Sequence, residues 1–235
     1  MRAGVIGLPD EDFDPIESYT ETTQVDEHTE LTACLEVRQT TERDGITVQT
    51  GRAAIQELDT EEQVNIDPET DNISVSERVD VVKTKYTEFL LVPGSFVTVS
   101  AGSGTFAFQL ISGATTSATV RRAEIDLDSF LRSYEGASRA EEAETWQVGF
   151  YGNTGNAEKG TIYGDGVFDD TELGSVVHQL PKNQIGLNIQ SKEEDIKMTA
   201  SKSGYVEVYQ PSNYDSVEFS QFILDQVLQH AEMSL

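Results

Sequence analysis

The sequence predicts an α+β fold: an antiparallel sheet built from hairpin-plus-helix groups, with about three helices on one face and a β-rich acidic N-terminal part. Three observations lead there. Short runs of β-branched and aromatic residues alternate with a period of two. They are separated by tight-turn signals, among them Asp44-Gly45, Pro93-Gly94 and Gly102-Ser103-Gly104. Three later segments change to the i, i+3, i+4, i+7 spacing of an amphipathic helix. No strand–helix–strand alternation of the parallel kind is present.

Residues 1–77 hold 20 acids and 4 bases, a net of −16, and residues 78–235 hold 22 and 12, a net of −10. The division at 77/78 therefore separates an acidic, partly extended N-terminal region from an α+β core domain. Within the first part, 8–30 has little periodicity and reads as loop or extended chain. Leu31 to Gln39 reads as a strand, with Leu31, Ala33, Leu35 and Val37 on one face. After the Asp44-Gly45 turn, Ile46 to Leu58 resumes as a strand, or as a strand passing into a short helix. Asp59 to Asp71 is acidic, contains Asp67-Pro68 and reads as a loop. Ile73 to Val82 alternates again.

The most apolar stretch is Tyr86 to Ile111. It reads as a three-stranded meander: Tyr86 to Val92, Phe96 to Ser100, then Thr105 to Ile111 with Phe106, Phe108 and Leu110 on one face. Beyond it, Thr119 to Ile125 reads as a strand, followed by a helix over about 127–135. Trp146 to Tyr151 and Thr161 to Phe168 form a hairpin, followed by a helix over about 171–180 that Pro181 ends. Strands at 185–190, 195–201 and 204–210 precede a helix over about 216–230, opened by the capping-box pattern Asp215-Ser216-Val217-Glu218. The three amphipathic helices need an apolar surface, and the meander supplies it.

Composition bounds the function. Acidic residues number 42 against 16 basic, a net charge of −26, with 37% apolar residues. A disordered chain has such a balance, but it also drops its aromatics and its periodicity. Here the acids are interleaved with regular strand and helix patterns, which is the pattern of a protein adapted to concentrated salt. Cys34 is the only cysteine, so an internal disulfide framework is excluded. The N-terminus lacks a signal-peptide pattern, and no apolar run approaches the ~20 residues of a membrane helix. The expectation is a soluble, cytoplasmic protein.

Motifs for chemistry are sparse. The glycine-rich segment 149–161 has Lys159 before Gly160, the wrong order for a phosphate-binding loop. Asp10, Asp12, Asp14, Ser18 and Glu21 match calcium-loop spacing, but Pro15 stands where that loop requires glycine. His28, His178 and His230 are far apart, so zinc is not indicated. No nucleophile elbow is present. No cofactor is expected.

Two constellations remain. Asp165, Asp169, Asp170 and Glu172 cluster near the second helix, as divalent-metal carboxylates do and as helix-capping acids also do. Lys83, Lys85, Arg121, Arg122, Lys182, Lys192, Lys197 and Lys202, with Trp146, Tyr151 and Tyr163 on neighbouring strands, could track and stack a nucleic acid. The reading that best fits the whole is a salt-adapted interaction or assembly protein without a catalytic site, with a protein partner or itself as ligand and no membrane. A nucleic-acid-associated factor and a metal-dependent enzyme are the alternatives.

Overall fold

A glycine-rich stretch near the N-terminus, Ala3–Pro9, forms β1 in the middle of the sheet. The computed structural model describes residues 1–134, 143–154, 157–168, 170, 172, 174–191 and 194–234. β1 lacks the alternation of a half-exposed strand because both its faces are covered. Val5 and Ile6 point to opposite sides and both are buried. Gly7 is needed because a Cβ there would meet the Phe108 ring.

The other strands are β2 (Tyr19–Gln24), β3 (Glu30–Arg43), β4 (Ile46–Asp67), β5 (Asn72–Val92), β6 (Phe96–Val99), β7 (Val120–Ile125), β8 (Ala143–Thr154), β9 (Ala157–Tyr163), β10 (Lys182–Ser191), β11 (Glu194–Ser201), β12 (Tyr205–Gln210) and β13 (Ala231–Met233). Every pairing is antiparallel, in the order β2-β3-β4-β5-β6-β1-β12-β11-β10-β8-β9. β7 adds to β1 above the end of β12, and β13 adds to β7. The chain is thus α+β with an antiparallel sheet. The 77/78 division falls inside β5, and β1 lies between β6 and β12, so one sheet runs through both parts.

Neighbouring residues on the central strands feed two cores. Ile6, Leu90, Val92 and Phe96 join the larger one, under α2 (Leu127–Arg132) and α4 (Ser216–Phe222). Val5, Phe89, Leu91, Val97 and Val99 face the other way, under α1 (Phe106–Ala114). α3 (Gly174–Gln179) places Val177 over Val148 and Val167. Each large apolar side chain buried this way contributes roughly 1.5–3 kcal/mol.

Two expectations are corrected. Thr105 to Ile111 is not a third meander strand: Phe106 to Ala114 is helical, with Ala107, Phe108 and Ile111 buried on one side. Spacing of one and four residues is that of a helix, and the alternation of Phe106, Phe108 and Leu110 concealed it. A helix therefore covers each face of the sheet, so the helices are not confined to one. Asp59 to Asp71 is not a loop either, since β4 and β5 stay paired to Asp67↔Asn72. Acidic residues lower strand propensity, but a solvent-washed ribbon leaves them hydrated on its surface.

Helix α4 shows how a distant base fixes a helix start. Asp215 accepts hydrogen bonds from Val217 N and Glu218 N, while Glu218 Oε2 accepts from Asp215 N at 2.7 Å. Arg43, at the end of β3, donates to both oxygens of Asp215 at 2.7 and 2.9 Å. The Arg43 guanidinium first, and the helix amides after it, hold the Asp215 carboxyl below its ordinary value. The charged form is favoured by folding, so this stabilisation is complete above the ordinary carboxylate range and is lost as pH falls through the lowered value. Asp215→Ala is expected to cost about 0.5–2 kcal/mol near neutral pH and less in acid, as read by urea unfolding at both pH values. An equal cost at both would show that ionisation of Asp215 is not involved.

Candidate functional site

β3 follows β4 only as far as Ala33↔Ile55, and β6 follows β5 only between Val92 and Phe89. Beyond those points β4 and β5 continue alone as a two-stranded arm, from Gln56↔Thr84 to Asp67↔Asn72. At ~3.3 Å per residue the arm extends roughly 35–40 Å. Its turn is set by Asp67, which accepts from Glu69 N at 3.0 Å and Thr70 Oγ1 at 2.6 Å, and by Asp71 at φ 51°.

The two faces of the arm differ. On one, Lys83 pairs with Asp59 and Glu61, and Lys85 with Glu57. Hydrogen bonds that its ammonium donates to Asp59 and Glu61 hold Lys83 above its ordinary pKa, and Lys83 in turn lowers Asp59. On the other face the cross-strand pairs are Leu58↔Val82, Thr60↔Asp80, Glu62↔Arg78, Val64↔Val75 and Ile66↔Ile73. The last two pairs form an apolar quartet at the tip. Val64, Val75, Ile66 and Ile73 are 60, 59, 73 and 66% exposed. Isolated two-stranded ribbons are marginal in water, and four adjacent aliphatic side chains gain nothing from exposure.

At the opposite end of the sheet lies a groove of about 600 Å³, lined by Arg122, Glu124, Tyr151, Asn183, Lys202 and Ser203 among others. Arg122 Nε donates to Ser203 O at 2.6 Å, and Lys202 pairs with Glu124 at 2.9 Å. That pairing raises the Lys202 pKa. Arg121 and Arg122 have no carboxylate partner among the described residues. Tyr151 stands 69% exposed at the groove's lip.

A third feature is an aromatic row across β12, β11, β10, β8 and β9. Trp146 lies in a β-bulge between the pairs Gly186↔Gln147 and Leu187↔Thr145, and a Cβ on Gly186 would collide with its indole. Tyr163 stacks on the indole with ring centres 6.5 Å apart, and Tyr209 meets it edge-on at 6.2 Å. Lys197 Nζ lies 4.6 Å from the indole centre.

The structure thus groups Lys197, Trp146 and Tyr163 and separates the other residues of the candidate nucleic-acid set. Lys83 is on the arm and Lys85 at its root opposite Ile55, while Arg122, Lys202 and Tyr151 line the groove and Arg121 is the neighbour of Arg122 on β7. The Lys182 side chain is only 3% exposed, paired with Asp128 at 2.7 Å and donating to His178 O. Lys192 lies outside the described residues. Of the candidate metal set, Asp169 is outside them too, while Asp170 Oδ1 accepts from Glu172 N at 2.8 Å, a turn contact. No cluster of three or more metal-ligating side chains occurs among the described residues.

The arm quartet is what sequence reasoning missed. Its signal was available: Val64-x-Ile66 and Ile73-x-Val75 alternate symmetrically about the Asp67-Pro68 to Asp71-Asn72 turn. No described helix is long and apolar enough to cross a membrane. Comparison with family models, with curated proteins and with solved structures gives no match.

Proposed function

We propose that this chain is a salt-adapted cytoplasmic assembly protein that docks onto a protein partner, or onto itself, through the β4–β5 arm, and that it carries no catalytic site. The observation behind this reading is the aliphatic quartet at the tip of an arm to which, among the described residues, no third strand pairs. An exposed ribbon also offers two unpaired strand edges, to which another chain can add by backbone hydrogen bonding. The net charge of −26 supports work in concentrated salt, where charges more than a few Å apart are screened and association rests on apolar contacts and contact-distance charge pairs.

Affinity capture of the tagged full chain in molar KCl, with and without nuclease, tests this. Ile66→Asp combined with Ile73→Asp is expected to change folding stability by less than about 1 kcal/mol, since both side chains are exposed. The wild type should retain its protein complexes after nuclease treatment, and the double variant should lose them. Complexes that survive the double substitution sink the reading. Complexes that disappear with nuclease would instead favour the nucleic-acid alternative, for which the row of Lys197, Trp146, Tyr163 and Tyr209 is the supporting geometry.

A further inference from the structure

We infer that the arm's partner is a second copy of this chain, whose Arg122–Lys202 groove receives the arm tip in a head-to-tail contact; this rests on the reading of the arm as the docking element.

Strand register carries the first part of the argument. β5 runs from the arm tip at Asn72 towards Val92, and β1 runs parallel to it, since both are antiparallel to β6. Along β1, Ala3 pairs with β12, and Gly7 to Pro9, at the other end, pair with Arg122 to Val120 of β7. The β11–β12 turn with Lys202 and Ser203 reaches the same end, because Ile125 N donates to Lys202 O at 2.9 Å. Tyr151 and Asn183 are there too, next to Lys182↔Phe150. Arm and groove therefore leave the sheet in opposite directions along the strand axis, and no single copy can bring them together.

Charge complementarity carries the second part. Residues 61–72 contain five carboxylates and no base. Two tips packed face to face would set five carboxylates against five, which argues against a symmetric tip-to-tip contact. The groove is lined by Arg122, which has no carboxylate partner among the described residues, and by Lys202, which Glu124 pairs at 2.9 Å, in a chain holding 16 bases in all. Tyr151 at the lip supplies an exposed ring for the quartet to cover. A groove of about 600 Å³ can take several aliphatic side chains. A head-to-tail contact either closes into a ring or continues as a filament.

Purified full chain in molar KCl, followed by sedimentation velocity over a concentration series, tests this without any other protein present. Three samples matter: wild type, an arm variant (Ile66→Asp with Ile73→Asp) and a groove variant (Arg122→Glu with Lys202→Glu). Wild type is expected to self-associate. Each variant should need at least about tenfold higher concentration to do so. Mixed one to one, the variants should form a heterodimer and nothing larger, because one intact arm meets one intact groove. Tyr151→Ser, which disturbs no ion pair, is the second groove variant should the double reversal lose its wild-type circular dichroism. Wild type that stays monomeric overturns the inference while leaving the arm free to bind another protein. So does an arm variant that fails beside a groove variant that associates normally, because the arm then reads a different surface.

Discussion

Dialysed from about 3 M to about 0.1 M KCl, the protein is expected to lose its β-sheet circular dichroism, since the Debye length grows from under ~3 Å to ~10 Å. The first distance is shorter than the ~5 Å between cross-strand side chains, and the second spans several of them. With 42 acids against 16 bases, most carboxylates have no base to meet. Several bases are already committed: Arg43 to Asp215, Lys83 to Asp59 and Glu61, Lys85 to Glu57, Lys182 to Asp128 and Lys202 to Glu124. Repulsion at low salt is therefore relieved only by expansion. Loss should begin where acids are dense and apolar burial is thin. The arm and the exposed edge strand β2 meet both conditions, and residues 1–77 alone carry −16 from 20 acids and 4 bases. Hydrogen exchange should thus rise first in the arm and β2, then in the strands under the helices. Sucrose in place of KCl separates screening from preferential exclusion, because it strengthens burial without shielding charge. A thermal midpoint unchanged between the two KCl concentrations sinks the salt-adaptation reading.

What was legible in the sequence follows from how burial writes a pattern. β3, β7 and β12 showed themselves because one face differs from the other, and α2 and α4 because an apolar stripe recurs every three to four residues. β1 did not. A strand covered on both faces has no alternation, and Gly4 and Gly7, required by close neighbours, interrupt its apolar run. α1 reads as a strand because Phe106, Phe108 and Leu110 satisfy a period of two, although in the helix Phe108 is buried and Phe106 and Leu110 lie on its partly exposed flank. Among site residues, a list of bases and aromatics could not say which meet. Lys197, Trp146 and Tyr163 come together only because Gly186 on β10 leaves room for the indole. Lys182 resembled a surface base yet serves as a buried tie to Asp128. The arm was hidden for a different reason: acidic residues score as loop, although a ribbon in solvent can hold them outside.

Phe89→Ala is expected to be the most damaging single substitution at the root of the arm, costing about 3–5 kcal/mol in the range found for buried phenyl groups. Phe89 is 1% exposed and stands on β5 between Gly51 of β4 and Val99 of β6. Its ring lies directly over Gly51, where any Cβ would strike it. Together with Val5, Leu91 and Val97 it forms the floor on which α1 rests. Its removal leaves a cavity that neither the glycine below nor the helix above can fill without moving a sheet strand. Total stabilities of 5–15 kcal/mol make such a loss a large fraction of the whole. The substitution should also lower hydrogen-exchange protection throughout the arm, because Phe89 is the last position at which β5 is held by β6. Val64→Ala at the arm's tip should cost under about 0.5 kcal/mol, because that side chain is already exposed. The contrast separates an arm anchored at its root from one stabilised along its length. Urea unfolding of both variants in molar KCl measures it, and near-equal costs would show that α1 does not rest on a packed core.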